Sequence, residues 1–176
     1  MMEARIKIVD SVATTRAAAF VGFTETMAVG TPVMPFEMAT GTQVYNGTGG
    51  MVGFAFDSDA TSLIWRFVAG DGGTNLATVD STGTVGNAAG IDAVATMTAD
   101  RWWVFRVEVD TDGLARGLIG DAVANATQRL VGTSTAALGT SDNFHVAVGI
   151  ENRSGANEIL EVDYVAAKGW RDWSPD

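Results

Sequence analysis

WWVFRVEVD, residues 102–110, runs without a break into Thr111, Asp112 and Gly113 and then into LARGLI at 114–119. Trp103, Phe105, Val107 and Val109 fall on one side of this run, and Arg106, Glu108 and Asp110 on the other. That is the two-residue period of a strand with one dry face and one wet face. Asp110 to Gly113 reads as a hairpin turn, because Asp tolerates tight turns and Gly takes a positive φ at no steric cost. LARGLI is then the antiparallel return strand.

The same period recurs along the chain. Ala4, Ile6 and Ile8 alternate with Glu3, Arg5 and Lys7. Further strand-like runs lie at 18–27, 51–56, 63–68, 121–127, 144–150 and 159–167, with Asp57, Ser58, Asp59 and Ala60 turning between the second and third of these. In the last run Leu160, Val162 and Tyr164 are expected to oppose Glu161, Asp163 and Val165. Alanine-rich stretches at 88–99 and 122–126 are interrupted by Gly, Thr or Val, and the one at 17–19 is followed by Val21 and Gly22, which weakens a helical reading. Residues 30–50 carry Pro32 and Pro35 and read as one long loop. Short strands, Gly-rich turns and no long helical period indicate an all-β fold, a two-sheet antiparallel jelly-roll sandwich. Residues 1–167 form the single domain, and 168–176 a C-terminal tail.

The 176 residues carry a net charge of −10, which opposes binding to nucleic-acid backbones and to anionic membranes. No apolar stretch approaches the ~20 residues of a membrane span, and the first residues lack the apolar block of a signal peptide. Asn46, Asn125 and Asn152 begin Asn-x-Ser/Thr triplets without a secretory context. There is no Cys, hence no disulfide and no thiolate ligand. Only 18% of residues are charged while 47% are hydrophobic, the balance of a chain that faces other proteins over much of its surface.

Catalytic patterns are sparse. The single histidine, His145, shares its strand face with Ala147 and Gly149, and the sequence offers it no partners. No Gly-x-Ser-x-Gly elbow and no phosphate-binding Gly-rich loop is present. Glu161 and Asp163 resemble the start of the Glu-x-Asp-x-x-Glu strand of sandwich glycosidases, but Ala166 stands where the second glutamate belongs. One carboxylate cannot run a mechanism that needs two across a glycosidic bond. Glu108, Asp110 and Asp112 form another acidic row, with the last two in the turn. Asp57 with Asp59, and Asp110 with Asp112, place hard oxygens two residues apart without the remaining ligands of a Ca²⁺ loop. No catalytic, cofactor-binding or metal site is expected.

Five tryptophans remain. Adjacent Trp102 and Trp103 must point to opposite faces of a regular strand, with Trp103 joining the core side. Trp170 and Trp173 lie in the polar tail and are the candidate interface residues, either anchored on a neighbouring surface or folded back over their own sandwich.

Several stretches together bear on family. FVGFTE at 20–25, VGFAFDSDAT at 52–61 followed by Trp65, FRVEVDTDG at 105–113 leading into LARGLI, and EVDYV at 161–165 occur in that order. The series resembles the concanavalin A-like (laminin-G-like) jelly roll of structural proteins in tailed-bacteriophage virions. Gly117 and Gly120 depart from it, standing where relatives carry bulkier residues. The resemblance implies a non-enzymatic decoration (cement) protein, made in the host cytoplasm and placed on the outer capsid surface. It implies contact with the major capsid protein or neighbouring virion proteins, assembly as a homo-oligomer, and no cofactor. The alternatives are a carbohydrate-binding lectin-like module contacting a host glycan, or a tail- or fibre-associated virion protein.

Overall fold

Alternation produces what it predicts in β1 (Met2–Ile8), where Met2, Ala4, Ile6 and Ile8 are buried while Glu3, Arg5 and Lys7 are half-buried on the other face. The computed structural model describes residues 1–9, 17–25, 34–39, 42–45, 49–58, 63–71, 74–75, 98–121, 128–134, 138–139, 143–152 and 157–169. Among these the remaining strands are β2 (Ala17–Thr24), β3 (Phe36–Ala39), β4 (Thr42–Tyr45), β5 (Met51–Asp57), β6 (Arg66–Asp71) and β7 (Thr74–Asn75). They continue with β8 (Trp103–Val109), β9 (Ala115–Asp121), β10 (Arg129–Thr133), β11 (His145–Asn152) and β12 (Leu160–Ala167). No helix occurs among the described residues.

Ten of these strands form two antiparallel sheets, facing each other as a β-sandwich. The first runs β10-β9-β8-β1-β12 and the second β11-β2-β5-β6-β7. Residues 30–50 are more than a loop, since β3 and β4 pair there as a hairpin that lies beside β5. The expected hairpin joins β8 to β9. Gly113 has φ 78°, and its N–H donates to the Asp110 carbonyl at 3.1 Å. One carboxylate oxygen of Asp110 accepts the N–H groups of Asp112 and Leu114, at 3.0 and 2.8 Å. Local hydrogen bonding by Asp is what sets such a turn.

Five rings thread the space between the sheets. Phe56 packs on Trp65, Trp65 on Phe105, Phe105 on Phe54 and Phe54 on Phe67, with centroids 4.6–5.7 Å apart in tilted or edge-on contacts. Phe105 comes from the first sheet and the others from the second or its approach, so this column ties the layers together.

The second sheet is buried on both faces at its centre. Phe20, Met51, Ala55 and Val68 turn away from the inter-sheet core and form a separate apolar cluster, with Met34 packed at its margin. This explains why AAAFVGFT and MVGFAFD read as near-continuous apolar runs instead of alternating ones.

β12 departs from expectation. A bulge opposite Arg5 and Ile6 leaves Asp163 without a register partner, so Val162 pairs with Ile6 and Val165 with Ala4. Val162 and Val165 therefore share the inner face, while Tyr164, opposite Arg5, shares the outer face with Glu161. The regular alternation read from the sequence fails there because one extra residue reverses the side-chain phase.

Candidate functional site

The outer face of the first sheet is a network of paired charges. Arg5 bonds Asp163 at 2.8 Å, and Lys7 reaches Asp100 at 2.8 Å and Glu161 at 3.0 Å. Hydrogen bonds to Asp100 and Glu161 hold the Lys7 ammonium above its usual pKa range. Glu108 accepts from both Arg106 and Arg116. Glu3 accepts the Tyr164 hydroxyl at 2.7 Å and the Gln128 amide at 3.0 Å. Partial burial, together with the donation to Glu3, pushes the Tyr164 phenol up to about 12. The two acidic residues with glycosidase-like spacing, Glu161 and Asp163, thus each face a cation on β1.

Trp102 lies on this same face, with the Arg5 guanidinium 4.9 Å and the Lys7 ammonium 5.2 Å from its ring centre. Trp103 turns the other way into the core and is 6% exposed. Trp65 is fully buried. The three tryptophans of the described residues therefore form no flat platform. Trp170 and Trp173, the sequence-derived interface candidates, lie outside the described residues.

The other acidic positions serve the fold. Asp110 is committed to its turn, Asp57 is buried at the end of β5, and Asp59 lies outside the described residues. No group of three or more His, Asp or Glu side chains able to hold a metal ion occurs among the described residues. His145 starts β11 opposite Thr24 and is exposed. An open cleft of about 500 Å³ at one corner of the first sheet is lined by Met1, Arg106, Glu108, Arg116 and Lys168, among others. Its two arginines are already engaged by Glu108.

What the sequence did not single out is the rim where β11 and β12 form the two sheet edges on the same side. β11 presents Val146, Val148 and Ile150, packed on the core yet only partly buried. On and just before β12, Ile159 is 50% exposed, Val162 46%, Tyr164 37% and Val165 44%. Every β12 residue from Glu161 to Ala167 is exposed. Val162 and Val165 stand on the inner face of β12 and Tyr164 on its outer face, so among the described residues the exposed apolar side chains line both faces of this edge strand. The only hint in the sequence was the apolar content of 159–167; that β12 would be an edge depends on long-range pairing.

Comparison with family models, with curated proteins and with solved structures yields no match to this chain.

Proposed function

We propose that this chain is a non-enzymatic structural protein of a tailed-bacteriophage virion. In this reading it is a decoration (cement) protein that binds the major capsid lattice from outside, and its sandwich is a concanavalin A-like jelly roll. The sequence stretches that carry the family resemblance fall on β2, on β5 and the approach to β6, on the β8–β9 hairpin and on β12. The observation that carries the functional reading is the exposed apolar edge at β11 and β12, beside a face where Asp163, Glu161 and Glu108 are paired with cations. Such a surface suits repeated contact with neighbouring subunits, where contact comes from buried apolar area and charge pairs set orientation. The net charge of −10 favours an outward location, away from the packaged genome.

Quantitative mass spectrometry of purified particles tests this. A high, uniform copy number per capsid is the expected result; absence from particles overturns the reading. A glycan array on the purified chain tests the lectin alternative. Strong, selective sugar binding by a monomer absent from virions would replace the proposal with that alternative.

A further inference from the structure

β12 has β1 on one side and no strand on the other among the described residues. Backbone bonds at its two ends fix which amides face outward. The Lys168 N–H donates to the Met1 carbonyl at 2.8 Å, the Met1 amine donates to the Lys168 carbonyl at 2.9 Å, and the Val9 N–H donates to the Ile159 carbonyl at 3.0 Å. Bonded and non-bonded positions alternate along an antiparallel pair. With the bulge at Asp163, residues 159, 161, 164, 166 and 168 are the positions bonded to β1. The N–H and C=O groups of Leu160, Val162, Val165 and Ala167 therefore point away from the sheet. All four carry apolar side chains on the inner face, without the Lys or Pro that commonly blunts an exposed edge.

We propose that β12 is a self-pairing edge, through which two copies of this chain join antiparallel about a two-fold axis at Val165 to form one ten-stranded sheet. The register follows from the residues. With Val165 opposite its own counterpart, each copy's outward Val165 N–H meets the other's Val165 carbonyl. One step on, Tyr164 faces Ala166 on the shared outer face. Beyond the bulged Asp163, Val162 faces Ala167, again a pair with outward amides. Glu161 then faces Lys168, so opposite charges meet at both ends of the seam, and Asp163 faces no acidic residue. Centring instead on Val162 would set Glu161 against Asp163 of the second copy, a like-charge pair that is destabilising directly across strands. Arg5 and Lys7 pair with the Asp163 and Glu161 carboxylates on the outer face, so neither brings an uncompensated charge to the seam. A two-fold interface uses the same patch twice, and this strand is self-complementary in hydrogen bonding, shape and charge.

This deepens the contact with neighbouring subunits in the proposed function without depending on the virion. A chain that dimerises but is absent from particles leaves this inference standing; one present in particles but monomeric in solution overturns this inference alone. The test is sedimentation velocity of the full chain over a concentration series, with two variants. The wild-type chain is expected to sediment as a dimer. Val165→Lys, which places two ammoniums face to face on the axis, should shift the equilibrium toward monomer by roughly tenfold or more, with the near-ultraviolet circular dichroism of the tryptophans unchanged. Val165→Cys introduces the only thiol in a cysteine-free chain and should give a disulfide-linked dimer under mild oxidation. Leu114→Cys, equally exposed at the β8–β9 turn, should not. A wild-type monomer at every concentration overturns the proposal, as does a dimer that shows no preferential cross-linking at 165 or whose affinity is the same in Val165→Lys.

Discussion

The ring of Phe67 on β6 occupies the space into which any side chain at Gly117 on the facing β9 would have to grow. Gly132 on β10 meets the same ring, so one phenyl group spans two strands of the opposite sheet and requires both to be bare there. Gly117→Ala should destabilise the fold by about 1–3 kcal/mol through overpacking. A smaller partner should recover part of that, so Gly117→Ala with Phe67→Leu is expected to cost less than the two singles summed. Urea denaturation of the four proteins gives the coupling.

Trp65 sits between Phe56 and Phe105 in the aromatic column, fully buried, and among the described residues its indole N–H has no hydrogen-bond partner. Truncation to Ala should cost about 3–5 kcal/mol. Both substitutions remove the unpaired donor, but Trp65→Phe should cost far less, because its ring refills most of the space that Ala leaves empty. Thermal unfolding of both variants measures the ring-packing contribution, since the donor is lost equally in each.

At the β8–β9 turn, Asp110 holds two N–H groups with one oxygen. Asp110→Ala should lower stability by about 1 kcal/mol. Asp110→Asn, which keeps an acceptor at the same place, should lower it less. Amide hydrogen exchange at Asp112 and Leu114 should accelerate in the alanine variant alone.

Tyr164 provides the pH signature. Its folded pKa, about 12, lies above the unfolded value of about 10. A group raised in this way contributes stability that is fully present below pH 10 and is lost as pH climbs toward 12. The stability of the native chain should therefore fall more steeply across that window than that of Tyr164→Phe. The chain has two tyrosines, so in Tyr45→Phe the ultraviolet phenolate signal reports Tyr164 alone and should appear near pH 12.

Much of the first sheet was legible because its cause is local. In β1, and in β8 as far as Glu108, the burial of each residue follows its parity, and Asp110 with Gly113 marks the turn between β8 and β9. β12 was legible as a strand but not in its facing, since the bulge at Asp163 shows only in the register against a strand more than 150 residues away. The β3–β4 hairpin was hidden by the prolines that precede it, and β10 by its brevity and its glycine. Gly117 acquires its reason only when Phe67 arrives from the other sheet. The apolar rim was illegible for a related cause: strand order determines which apolar residues stay uncovered, and composition does not encode strand order. Trp170 and Trp173 stood out by type, but they lie outside the described residues.

The reciprocal bonds between Met1 and Lys168 bring the first and last described strands together at one corner of the sheet. A tether pulling on those two points would load the β1–β12 ladder one rung at a time, as a zip, instead of loading every rung together in shear. Along that direction the molecule should part at low force, however high its melting temperature.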